Sequence, residues 1–280
     1  MERCITDGLV EAFTMRLRVE ERSAGTVEKY RRDVKEFAAW LGGKPVDRFL
    51  TAAWRDALLG EGRRPGTVNG KLTALCALFR FAGWEECRAH FLKLQRQLFR
   101  EDGRELTREE YGRLLKTAGE QGKERLALLL ETICSTGIRV SEVRYITFEA
   151  VLRGRAEIAL KGKRRVILLP GKLCKKLKKY AKKKKIASGE IFITRNGKSI
   201  SRKQIWAEMK ALCEAAHVAP SKVFPHNLRH LFARCFYHAS HDVASLADVL
   251  GHSSIETTRI YLISTGAEHA RQLERLGLVT

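Results

Sequence analysis

Apolar residues recur in steps of three and four along most of this chain, and that spacing most narrows what it can fold into. Such steps gather side chains on one helical stripe, whereas a strand buried on one face needs steps of two. Val27, Tyr30, Val34, Phe37 and Leu41 make one stripe behind Thr26, a residue type suited to capping a helix. Gly42-Gly43 ends that helix and Pro45 prevents its resumption. Leu72, Leu75, Leu78 and Phe79 make a second stripe behind Thr67, and weaker helices are expected over Leu9–Arg22 and Thr51–Leu59. The period changes in one stretch. Arg155–Leu160 alternates and Val166–Leu169 is short and β-branched, with Lys161-Gly162-Lys163-Arg164 between them. That pattern predicts a hairpin with a basic loop. The fold class is therefore mainly α with a small β-hairpin.

The helical pattern lapses around Arg96–Arg104, where the chain reads Arg-Glu-Asp-Gly-Arg at its polar end. Thr107 and Glu110 then form a T-x-x-E capping box that opens a new helix, and another runs through Leu126–Ser135 to stop at Gly137. We place residues 1–98 in a helical N-terminal domain and 104–280 in a second domain.

Charge points to the partner. Lys and Arg number 53 against 32 Asp and Glu, a formal net charge of +21. A surface so basic expects a polyanion, and nucleic acid is the common one. The excess concentrates in residues 151–185, where 15 Lys and Arg face one acid, Glu157. Apolar residues at Val166–Pro170, Leu173, Leu177 and Ile186 interrupt this block, so it reads as folded and turned toward phosphate rather than as a charged tail. The seven cysteines are scattered, with no C-x-x-C pair, which argues against a disulfide framework or a zinc site and fits a reducing cytosol. No apolar run approaches a membrane span and no signal-peptide pattern opens the chain, so a cytoplasmic protein is expected.

Four islands in the second domain carry chemistry. Thr136-Gly137-Ile138-Arg139 delivers Arg139 from a helix junction, with Glu142 three residues on. Lys161 stands in the hairpin loop. His226-Asn227-Leu228-Arg229-His230 follows Pro225, and its i, i+3 spacing puts His226 and Arg229 on one face at a helix start, where free N–H groups also favour an anion. Leu250-Gly251-His252 ends a helix, Ser253 or Ser254 caps the next, and Tyr261 is expected two turns into it. Each island alone has an ordinary structural explanation.

Together, in this order and spacing, they resemble the tyrosine recombinase (phage integrase) family over the whole chain. The resemblance implies a core-binding domain followed by a catalytic domain, closing as a clamp around double-stranded DNA. It also implies a tetramer on two DNA sites, with no cofactor. Residue by residue, Arg139 and Arg229 match the two phosphate-clamping arginines, Glu142 the acid supporting the first, and Lys161 the hairpin lysine. His226 and His252 match the two catalytic histidines and Tyr261 the nucleophile. Two departures stand out: Leu231 where a hydroxyl residue often follows the H-x-L-R-H motif, and Lys163 as a competitor for Lys161. The segment Gly266–Val279, with Leu273, Leu276 and Leu278, is expected to pack on a neighbouring subunit or within its own. No further N-terminal arm-binding domain is evident, which favours a simple core-site recombinase.

The implied chemistry suits these residue types. Phosphoryl transfer gathers negative charge on oxygens around phosphorus, and arginine binds two such oxygens with a fork that stays charged. A phenol with pKa of about 10 needs that field and a base, for which His226 is the candidate. Lys161 is the donor to the departing oxygen. His252 is expected to bond a nonbridging oxygen or to position Tyr261. Lys163, Arg164, Arg165 and Lys182, Lys183, Lys184 and Lys185 are expected to grip the DNA backbone. The rival readings are a type IB topoisomerase and a DNA-binding protein without catalysis.

Overall fold

Capping side chains set where the helices begin. The computed structural model describes residues 3–94, 103–160, 163–252, 254–259, 261 and 274–276. Its chain divides into two compact units, Met1–Arg96 and Gln97–Thr280.

In the first unit, α1 (Asp7–Val19) is capped by Thr6, α2 (Ala24–Leu41) by Ser23 and α3 (Arg48–Gly60) by Asp47, while α4 (Pro65–Ala82) starts on a proline. The expected cap at Thr26 is replaced by Ser23, whose hydroxyl accepts from the Thr26 N–H. The residues in between, Ala24 and Gly25, carry no apolar signal, so periodicity alone starts this helix one turn late. The stripes close on Phe13, Val34, Phe37, Trp54, Leu72, Leu75 and Phe79, with the Phe37 and Trp54 rings 4.9 Å apart.

The second unit is built around α6 (Glu124–Thr136), which packs against α5 (Arg108–Glu120), α8 (Gly171–Lys183), α9 (Arg202–Lys210) and α10 (Pro225–Ser240). The capping box at the start of α5 is formed in both directions between Thr107 and Glu110. A short helix, α7 (Phe148–Arg153), leads into the antiparallel hairpin of β1 (Arg155–Leu160) and β2 (Lys163–Leu168), in register from Arg155 opposite Leu168 to Leu160 opposite Lys163. Lys163 and Arg164, expected in the loop, are strand residues. Val166 and Leu168, expected to be buried, face outward, while Ile167 and Leu169 face the core. The chain then passes through α11 (Val243–Leu250) to α12 (Ile255–Arg259). Leu246, Leu250, Ala233 and Tyr261 form a small apolar cluster of their own there. Among the described residues, no helix is long and apolar enough to cross a membrane. The Gly266–Val279 segment lies outside the described residues except at 274–276, where Leu276 is exposed.

Candidate active site

The site grows from two glycines that let backbone and side chains approach closely. Gly137 ends α6 at φ +62°, and a β-carbon there would lie 2.5 Å from the Phe232 ring of α10. Gly251 ends α11 at φ +63°, and a β-carbon there would lie 2.4 Å from Cδ of Arg165. Both positions need glycine twice over, for the left-handed backbone and for the space.

Arg139 follows Gly137 by two residues and caps a 3-10 turn, Val140–Tyr145. Its guanidinium donates to Glu142 Oε1 at 2.9 Å, and its backbone N–H to Glu142 Oε2 at 3.0 Å. Glu142 is buried, whereas the Arg139 side chain remains 40% exposed, with one face available to a ligand. Arg229, one turn into α10, is only 2% exposed. It donates to the Gly137 carbonyl, to the Leu250 carbonyl at 2.9 Å and to His252 Nε2 at 2.9 Å. Burial lowers its pKa, and a hydrogen bond with the Tyr261 phenol partly offsets this. Asn227, buried in the same motif, donates to the carbonyls of Arg104 and Lys222 and so pins the start of α10. Leu231, the departure noted in sequence, is a core residue.

The histidines surround the phenol. The Tyr261 ring, 5% exposed, lies 5.6 Å from His226, 4.4 Å from His230 and 5.5 Å from His252, stacked on the last at 19°. The Arg229 guanidinium carbon is 6.0 Å from its centre. Desolvation, then Arg229 and Arg139, depress the pKa of His226. The same causes in the same order, joined by Arg165, push His252 down to about 4. Both rings are neutral at neutral pH. Because Arg229 can only donate, His252 Nε2 must accept. Its proton therefore sits on Nδ1, which donates to buried Thr258 Oγ1 at 2.8 Å. In this tautomer, Nε2 has no proton to give a phosphate, and His252 orients Arg229.

Five of the expected residues thus come together: Arg139, Glu142, His226, Arg229 and His252, around Tyr261. Lys161 lies outside the described residues, as do Gly162 and Ser253. Tyr261 stands two residues beyond Arg259, the last described residue of α12, with Ile260 outside the described residues. Arg164 is exposed, but Arg165, expected in the same outward basic run, turns inward and is 10% exposed. Strand alternation is the cause, since neighbouring residues must face opposite ways. Lys182, Lys184 and Lys185 are exposed and Lys183 pairs with Glu124. Lys176 pairs with Glu131, so α8 runs antiparallel to α6. At about 1.5 Å per residue, the Lys183 end lies roughly 20 Å along α6 from Gly137. Sequence reasoning gave Arg165 only a place in the DNA-gripping run, and gave no role to His230 or Thr258.

Residues 104–268 match the phage integrase family and residues 10–86 the phage integrase N-terminal SAM-like domain. The chain belongs to the phage integrase family, the tyrosine recombinases, whose reaction is the breakage and rejoining of DNA strands. The tyrosine recombinase XerA of Thermococcus kodakarensis is 30% identical over 277 residues, covering 95% of this chain and 94% of that protein. The tyrosine recombinase XerC of Neisseria gonorrhoeae is 30% identical, covering 90% and 89%. The fold is shared with the Tn1549 transposon integrase in complex with transposon right end DNA, at TM-score 0.71 and 18% identity over 96% of this chain and 99% of that one. It is also shared with the lambda integrase tetramer bound to a Holliday junction, at TM-score 0.72 and 18% identity over 91% and 76%.

Proposed function

We propose that this recombinase attacks a DNA phosphodiester with Tyr261, and that Arg139, Arg229, His226, His252 and Lys161 carry the reaction. His226, neutral and close to the phenol ring, takes the Tyr261 proton as the Oη–P bond forms. Arg139, with its exposed face, and Arg229 hold the nonbridging oxygens as charge builds on them. The bond from phosphorus to the 5′ oxygen breaks, and Lys161 on the hairpin gives that oxygen a proton. The result is a 3′-phosphotyrosine that a new 5′ hydroxyl can attack, so rejoining consumes no outside energy. Glu142 keeps Arg139 in place. Phosphate arriving at Arg229 releases His252 Nε2, and a shift of the ring proton from Nδ1 to Nε2 then lets His252 donate to a nonbridging oxygen.

The partner is double-stranded DNA, gripped by the two units as a clamp, and the working assembly is a tetramer on two sites in the cytoplasm. Lys163 and Arg164 contact the backbone beside the cut, with Lys182–Lys185 farther along it. The observation that carries this reading is the gathering of two arginines and three histidines around one buried tyrosine, from stretches as far apart as Arg139 and Tyr261.

Tyr261→Phe loses only the hydroxyl. It is expected to bind duplex DNA as the parent does and to form no covalent product on a nicked suicide substrate, read on a denaturing gel. An adduct with this variant removes Tyr261 from its role.

A further inference from the structure

The C-terminus of α11 leaves carbonyls without helical partners, as any helix end does. Those of Ala247 and Asp248 are taken by the backbone N–H groups of Gly251 and His252. The next three are taken by three different arginines. Arg165 Nη2 donates to the Val249 carbonyl at 2.9 Å and Arg229 to that of Leu250 at 2.9 Å, while Arg139 reaches that of Gly251 at a long 3.5 Å. Two of these arginines already have roles in the reaction. The third comes from β2, the strand that returns from the hairpin turn.

Arg165 is also joined to Arg139 through one carboxylate. Its Nη1 donates to Glu142 Oε2 at 2.9 Å, the oxygen that accepts the Arg139 backbone N–H, while Oε1 holds the Arg139 guanidinium. Its stem passes so close to Gly251 that no other residue fits there without displacing it. Desolvation, countered by Glu142 and reinforced by Arg229 and Arg139, depresses it to about 10, so it stays charged at neutral pH. One buried carboxylate therefore serves two guanidiniums, with a third adjoining.

We propose that Arg165 is a positioning residue. By sharing Glu142 with Arg139 and gripping the α11 end, it holds the hairpin, Arg139 and the His252 turn in one geometry. This rests on the reading above that Arg139 handles the scissile phosphate. It assigns Arg165 to the interior of the site instead of to the outward DNA-gripping run. Lysine cannot replace it, because a single ammonium on a straight stem cannot span Glu142 and Val249 with the fork that makes both bonds.

The test uses the full chain and single-turnover cleavage of a nicked duplex, with DNA affinity and melting temperature measured alongside. Arg165→Gln and Arg165→Lys are expected to bind DNA within about threefold of the parent and to cleave roughly 10²-fold more slowly, the scale of a misplacement of about 1 Å. The deciding measurement is a double-mutant cycle with Glu142→Gln. If Arg165 acts through the shared carboxylate, Arg165→Gln added to Glu142→Gln should slow cleavage by less than about threefold. A full, multiplicative loss in that background overturns the proposal, as does an unchanged rate in the single variants. Should Arg165→Gln fail to fold, Arg165→Lys, which keeps the charge, carries the same cycle. Failure of the parent reading is separate and visible at once: the unmodified protein then makes no Tyr261-dependent adduct at all.

Discussion

Each unit buries an ionic cluster, and the two are balanced differently. In residues 1–96, Asp33 is 1% exposed and is approached by Lys29 at 2.8 Å and Lys71 at 3.7 Å, and Lys71 also pairs with Glu36. Buried charge there is matched, one cation to one anion, with the remaining partners toward solvent. In residues 97–280, the cluster at the site sets buried Arg229 and nearly buried Arg165 against one buried carboxylate among the described residues, Glu142, with half-exposed Arg139 beside them. A matched cluster has satisfied itself and fixes the packing of α2 on α4. An unmatched cationic one is costly to hold without an anion, since burying charge without a partner is unfavourable. That imbalance supports the proposal that this cluster receives a phosphate.

That contrast can be broken with one pair of substitutions. Arg229→Lys in the second cluster should reduce cleavage by roughly 10²- to 10³-fold, the cost of losing a prearranged donor to the developing charge. Asp33→Ala in the first should lower stability by about 3 kcal/mol by leaving Lys71 with Glu36 alone. It should leave the cleavage rate of folded, DNA-bound protein unchanged. Cleavage rates and denaturant melts on both variants check this, and a catalytic defect in Asp33→Ala erases the distinction.

A smaller effect sharpens it. His252 is held neutral by burial and nearby guanidiniums, its pKa pushed down to about 4 from an ordinary value near 6.5. Its neutral form is favoured in the folded state, so the unfolded chain binds more protons between those values. Stability is then fully present above about pH 6.5 and declines as pH falls toward 4. His226 shifts in the same direction. Denaturant midpoints at pH 7 and pH 5 should show this loss, and His252→Gln should show less of it. An equal loss in the variant assigns the acid sensitivity elsewhere.

The smallest expected effect concerns the lysines at the far end of α8. Neutralising three of Lys182–Lys185 should lower the slope of log affinity against log salt by about 0.9 per lost phosphate contact, leaving cleavage of bound DNA intact. An unchanged slope means that these lysines face solvent, about 20 Å from the site along α6, and that the backbone grip comes from residues nearer the hairpin tip.

Much of this protein was legible in the order of its residues. The helices follow from three-and-four spacing and caps, the hairpin from its change of period, and the polyanion partner from charge. These are local or compositional properties, settled by residues adjacent in sequence. The islands around Arg139, His226 and Tyr261 were legible as well, because fixed spacings within each island impose fixed geometry. The sequence alone did not settle which way Arg165 points. Arg165, Ile167 and Leu169 alternate with Arg164, Val166 and Leu168, and each set holds one arginine and two apolar residues. A period of two cannot choose between such faces, and the packing of the hairpin against the unit did. The tautomer of His252 and the sharing of Glu142 were likewise decided only in three dimensions. Each depends on a donor from another island, 23 residues away in both cases, and on which groups are left buried once those islands close on one another.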